Sequence, residues 1–206
     1  VEKTGKKKIG ELVDATKLFL NLGPNVGIAL SKLGPDGIKG AEKVLEKLDS
    51  LTVNSLKISK DLKGTFGEET MATVFQTIGK AAEKPNVHWV EEFSNNVKKF
   101  NPLIGSSVGG AKGIIREIQV AKAEDLADTL TAASLEVFWN GGAKKAQFDL
   151  IGSGIAREVK SPNSLVLDTE KINPTLGEVY AIIDKKVKLL NEAKTHLPQG
   201  VTFNEI

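Results

Sequence analysis

The stretch whose reading decides the fold is Gln147-Phe148-Asp149-Leu150-Ile151-Gly152-Ser153-Gly154-Ile155-Ala156-Arg157-Glu158-Val159-Lys160. Apolar Phe148, Leu150 and Val159 alternate with charged Asp149, Glu158 and Lys160, the period of two that gives a strand one apolar and one charged face. Gly152-Ser153-Gly154 between the two runs is a hairpin signal, and Pro162, which has no N–H to donate, closes the second run. Antiparallel strands are therefore expected over 147–151 and 155–160. A two-residue loop at Gly152-Ser153 sets Glu158 diagonally beside Asp149 on one face. A four-residue loop sets the two directly opposite, and a three-residue loop without a bulge turns them apart.

Working outward, residues 135–139 read as a further strand, followed by a turn at Asn140-Gly141-Gly142. Before it, Ile114, Ile115, Ile118, Ala121 and Leu126 recur at helical spacing. After the hairpin and a loop rich in Asn, Pro and Thr, the residues Leu176, Val179, Ile183, Val187 and Leu190 define a long helix ending before Pro198, and 201–203 add a last strand. The first hundred residues read as helical throughout. Leu12, Ala15, Leu18, Phe19 and Leu22 share a face, as do Met71, Ala72, Phe75 and Ile78, and Trp89, Val90, Phe93, Val97 and Phe100. Gly23-Pro24 and Gly34-Pro35 stop the early helices. The run Gly105-Ser106-Ser107-Val108-Gly109-Gly110 reads as a linker. The expected fold class is α+β: a helical domain over 1–105, then a small α/β domain over 106–206 with a mixed sheet flanked by helices.

Composition narrows the chemistry. Of the 206 residues 40% are hydrophobic and 26% charged, a globular balance, and no apolar run approaches the length that crosses a bilayer. Cysteine is absent and His88 and His196 are the only histidines, which excludes disulfides, thiolate zinc sites, iron–sulfur clusters and cysteine nucleophiles. A metal would sit on oxygen ligands, hence Mg²⁺, Mn²⁺ or Ca²⁺ ahead of a mixed zinc site. A net charge of +2 permits nucleic acid without demanding it, and Lys3, Lys6, Lys7 and Lys8 form a basic arm. Gly79-Lys80 is followed by Ala81, which fails the P-loop pattern, and Arg157 stands where a dinucleotide fingerprint after Gly152-Ser153-Gly154 needs glycine. His88, three residues before Glu91, lacks supporting ligands and reads as a surface histidine.

What remains is Asp149 with the triplet Glu158-Val159-Lys160. Two carboxylates facing one point suit a hard divalent cation, and a neighbouring ammonium suits the orientation of water or phosphate. The plainer reading is an exposed hairpin charged for solubility. Glu117, three residues after Ile114 and four before Ala121, is turned towards the apolar side of its helix and needs a partner there.

The Asp and Glu-x-Lys pattern on paired strands resembles the PD-(D/E)XK nuclease superfamily, over roughly residues 106–206. That resemblance implies catalytic roles for Asp149, Glu158, Lys160 and Glu117, the last from the match of Gly113-Ile114-Ile115-Arg116-Glu117 to a Gly-x-x-x-Glu stretch on the family's first core helix. Gly64-Thr65-Phe66-Gly67-Glu68 matches the same pattern farther away, so Glu68 ranks second. Asp149 and Glu158 are then the metal ligands, for Mg²⁺ foremost and Mn²⁺ or Zn²⁺ otherwise, while Ser161, Lys185 and Lys188 contact nucleic acid.

The chain opens on Val1-Glu2-Lys3-Thr4, two of four positions of a Val-Glu-Asn-Asn junction, and lacks both an initial Met and a signal-peptide segment. With its helical first half, it resembles the toxic C-terminal region of bacterial contact-dependent growth inhibition proteins. This implies a piece of a larger secreted or cell-surface protein, with residues 1–105 serving translocation and no stable membrane anchor. It implies a metal-dependent endonuclease acting in the target-cell cytoplasm, on tRNA ahead of DNA, and blocked by a cognate immunity protein. The alternatives are a helical interaction or structural protein without catalysis, and a DNA repair or junction nuclease of the same superfamily. Because clustered carboxylates repel one another without metal, replacing Asp149 is expected to leave stability intact.

Overall fold

The Gly34-Pro35 pair ends one helical stretch and opens the next, as expected, inside the element α1 (Val26–Glu46), where the backbone at Gly34 is non-helical. Gly34 takes a φ of 61°, which glycine adopts freely, and Pro35 opens the next turn, where a missing N–H costs little. The computed structural model describes residues 26–47, 53–98, 106–126, 128–159 and 175–206. The helix expected near 11–22 and the basic arm lie outside these residues. The helices α2 (Val53–Phe66), α3 (Glu68–Ala81), α4 (Trp89–Lys98) and α5 (Ser106–Ala123) follow.

Their core takes the apolar residues the spacing singles out. Met71, Ala72, Phe75, Ile78, Trp89 and Phe93 are buried, and the Phe75 and Phe93 rings meet edge to face at 6.3 Å. The helices α1 and α3 approach closely at Gly40 and Gly79, where a Cβ on Gly79 would run into the Asp36 carbonyl and one on Gly40 into that of Phe75. The Gly/Ser run differs from expectation, since residues 106–110 form the first turns of α5. Gly110 lies beside the side-chain amide of Asn96 on α4, where α4 and α5 come together.

Two compact units result. The helical one gathers the described residues up to Glu83 with Trp89–Ala123, and the other joins Lys84–His88 to Glu124–Ile206. The expected division at 105/106 instead grouped α5 with the sheet.

In the second unit, β1 (Leu130–Trp139), β2 (Lys144–Gly152) and β3 (Ile155–Arg157) form an antiparallel meander in that order. Among the described residues the strands pair antiparallel, and the expected mixed sheet is not found there. Parallel pairing occurs as isolated bridges, Val87 with Ala133 beside β1 and Ile155 with Glu205 beside β3. The latter replaces the strand expected over 201–203: Glu205 accepts the Ala156 N–H at 2.8 Å, and the Asn204 N–H donates to the Gly154 carbonyl at 2.7 Å. Lys84 ties its segment to β1 by donating to the carbonyls of Asp128 and Leu130, both at 2.9 Å.

The long helix α6 (Leu176–Ala193) opens with a capping box, in which Glu178 accepts the Thr175 N–H at 2.8 Å while Thr175 accepts that of Glu178. Its Leu190 and Ala193 pack with Phe148 and Phe203 in the sheet's core. The described residues therefore form an α+β chain of six α-helices and one three-stranded sheet.

Candidate functional site

The β2–β3 turn sets the geometry of the hairpin. It spans Ser153-Gly154, one residue later than the expected two-residue loop, with φ of 53° and 75°. Two consecutive positive φ values mark the turn whose twist matches paired strands, and glycine fills its second position without strain. Gly152 stays in β2, where a Cβ would stand 3.3 Å from the Leu130 Cα.

The resulting register pairs Leu150 with Arg157 and Ile151 with Ala156, and the ladder stops there, with Asp149 and Glu158 the next residues along the two chains. That is the register foreseen for the four-residue loop, reached with a shorter one. Arg157 ties the turn down by donating to the carbonyls of Gly152 and Ile155 and by pairing with Glu124 at 2.6 Å.

Strand β3 ends at Arg157 instead of reaching 160, and the next residues show why. The Val159 N–H donates to Asp149 Oδ2 at 2.7 Å, a bond to a side chain where a ladder would use a carbonyl. Since an amide nitrogen lies about 2.4 Å from the preceding Cα, Asp149 Oδ2 comes within about 5 Å of the Glu158 Cα. Asp149 itself is only 9% exposed.

Opposite Asp149 on β1 stands Ser134, buried and with a φ of 49°. A non-glycine residue in this region inside a strand carries strain of about 1–3 kcal/mol, a feature that collects at functional sites. The side-chain alternation changes phase here, so that Phe148 and Ile151, three apart, both enter the core beneath α6.

Glu158 meets Lys186 of α6 at 3.1 Å, and the same ammonium donates to the Gln147 carbonyl at 3.2 Å. Both side chains line a cavity of about 440 Å³ whose other walls include Ile155, Val179, Ile183 and Leu190. Lys185 and Lys188 are exposed and border a separate cleft of about 550 Å³ with Lys144, Asp184 and Glu192. Lys160 and Ser161 lie outside the described residues.

Glu117 is buried on α5, 7% exposed, and accepts a hydrogen bond from the Trp89 indole at 3.4 Å. Its expected partner is thus found within the helical unit, whereas Asp149 and Glu158 belong to the other unit. Glu68 opens α3, where its charge complements the helix N-terminus, and pairs with Lys63 at 2.9 Å.

Among the described residues no three carboxylates or imidazoles gather as a metal cage. The pair on the hairpin fits a different pattern. Mg²⁺ is commonly held by one or two carboxylates, with water and substrate phosphate completing its shell. Asp149 and Glu158, both hard oxygen donors at one end of β3, match that donor set.

Compared with known protein families, curated proteins and solved structures, the chain matches none. The site's meaning therefore rests on its residues. Sequence reasoning missed Lys186 and Ser134. Lys186 had a signal, since it follows Ile182 and precedes Leu190 by one helical repeat each and so lies on the inward stripe of α6. Ser134 is marked only by the small residues Ala132 and Ala133 before it.

Proposed function

We propose that the chain is a metal-dependent nuclease of PD-(D/E)XK type that hydrolyses phosphodiester bonds in nucleic acid, tRNA ahead of DNA, as the toxin region of a contact-dependent growth inhibition protein. The observation that carries the reading is the hydrogen bond of the Val159 N–H to the Asp149 carboxylate, which brings Asp149 beside the residue next to Glu158 just past the Leu150–Arg157 pair. The chain order α5, β1, hairpin, α6 is the order the resemblance calls for, while the sheet itself is antiparallel and α5 belongs to the helical unit.

In this mechanism Asp149 and Glu158 hold the cation, Mg²⁺ foremost and Mn²⁺ or Zn²⁺ otherwise. When bound, the cation supplies charge neutralisation at the phosphate and a more acidic water molecule. The backbone N–H of Val159 orients the Asp149 carboxylate. Lys160, next in sequence, is assigned the orientation of water or phosphate, and Ser161, Lys185 and Lys188 the contacts to the nucleic acid backbone. A part for Glu117 rests on the resemblance alone, since its carboxylate is engaged by the Trp89 indole within the helical unit. Delivery into a neighbouring bacterium and inhibition by an immunity protein belong to the same proposal and rest on the resemblance alone.

Incubating the purified chain with total tRNA and with plasmid DNA, with and without Mg²⁺, Mn²⁺ or Zn²⁺, tests the reading. Cleavage that requires the added metal is expected, and its absence on both substrates would remove the nuclease. One observation favours a non-catalytic interaction protein as the second reading. Leu176, Tyr180 and Ile183 stand exposed along one face of α6, an apolar stripe of the kind that meets partners. An inert chain that still binds a partner through this stripe would establish it.

A further inference from the structure

Lys186 occupies an unusual place for a lysine. It stands on the inward stripe of α6 between Ile182 and Leu190, in the wall of the largely apolar 440 Å³ cavity, with its side chain 25% exposed. A charge there is costly unless paired, and two contacts hold its head at the hairpin: Glu158 Oε2 at 3.1 Å and the Gln147 carbonyl at 3.2 Å. The Glu158 side chain is 17% exposed, so the pair is shielded more than a surface ion pair. The two carboxylates of the candidate site are thus held in different ways. Asp149 accepts the Val159 N–H, and Glu158 meets the Lys186 ammonium.

We propose that Lys186 stands in for the cation: it aims the Glu158 carboxylate in the metal-free protein, and a divalent cation binds Glu158 in competition with it. The inference rests on the reading of Asp149 and Glu158 as metal ligands and adds how that site is regulated. Two positive charges at one carboxylate repel over a few ångströms, so an incoming cation must drive the ammonium aside. The released ammonium then lies beside the site, where an anionic substrate meets it. Lys186 is a positioning residue here, and the trait it sets is metal affinity.

Calorimetric titration of Mn²⁺ into the whole chain without nucleic acid tests this directly, on the wild type and on Lys186→Met, Lys186→Arg, Lys185→Met and Glu158→Gln. Lys186→Met should tighten Mn²⁺ binding at least about tenfold, because it removes the competitor and keeps the apolar stem. Lys186→Arg and Lys185→Met should bind like the wild type, and Glu158→Gln should bind far more weakly. Lys186→Gln repeats the test should the Met variant fail to fold, with urea midpoints reporting folding for each. Wild-type binding with unchanged or weaker affinity in a folded Lys186→Met or Lys186→Gln protein would overturn the role of Lys186 and leave the metal site standing. An absence of Mn²⁺ binding in both wild type and variants would overturn the metal site and this inference together.

Discussion

Replacing Asp149 separates what its carboxylate does for the fold from what it does for chemistry. Asp149 Oδ2 accepts the Val159 N–H at 2.7 Å, a charge-assisted bond that also ends strand β3. Hydrogen bonds to charged groups contribute about 1.5–3 kcal/mol, and Val159 is half-buried, so water reaches the freed N–H and the lower end applies. Asp149→Ala should therefore destabilise its unit by about 1.5–2 kcal/mol. Asp149→Asn, which keeps an acceptor oxygen, should cost less than about 1 kcal/mol. This reverses the expectation that stability survives the loss of Asp149, which rested on relieved repulsion. Lys186 already offsets the Glu158 charge, so little repulsion is left to relieve. Urea unfolding followed by circular dichroism measures both variants, with the shift in midpoint at constant slope giving the difference. An Asp149→Ala protein as stable as the wild type would refute the argument.

Three further outcomes follow from other parts of the chain. Gly79→Ala forces a Cβ into the Asp36 carbonyl where α1 meets α3 and should cost about 1–3 kcal/mol, read as a lowered thermal midpoint. Glu117→Gln keeps an acceptor for the Trp89 indole, so stability and tryptophan fluorescence should stay near wild type and cleavage should fall less than about tenfold; a loss on the order of 10²-fold would instead place Glu117 at the reacting centre. Lys185→Glu with Lys188→Glu should weaken nucleic-acid binding uniformly across sequences and flatten its salt dependence, with the slope falling by about one for each phosphate that is no longer neutralised. Binding measured from low to moderate salt checks this, and an unchanged slope would remove both lysines from the interface.

Much of this architecture is legible in local pattern. The strands of the hairpin follow from the period of two around Asp149 and Glu158, and the core of α3 and α4 from the spacing of Phe75, Ile78, Trp89 and Phe93. What escaped depends on interactions distant in sequence. Gly110 looks like linker until Asn96 of α4 is set against it. The turn slipped by one residue because Gly152 is needed in the strand, against Leu130, and Ser153 can take a left-handed conformation. At the site, the approach of Asp149 to Glu158 was readable from an even loop, but the Val159 bond that shortens β3 was not. Lys186 looked like one more lysine on α6, since no helical pattern tells which cation will face a carboxylate on another element.

The most direct test of the central claim is the rate of tRNA and plasmid cleavage under single turnover with Mg²⁺, compared among the wild type, Asp149→Asn and Lys160→Ala. Asp149→Asn preserves the Val159 hydrogen bond while removing the charge that holds the cation, and Lys160→Ala removes the assigned ammonium. Both folded variants should lose on the order of 10²-fold or more in rate, and the wild type should lose its activity when the metal is chelated. Folded Asp149→Asn and Lys160→Ala proteins that cut at the wild-type rate would show that the Asp and Glu-x-Lys pattern is only the charged face of a hairpin.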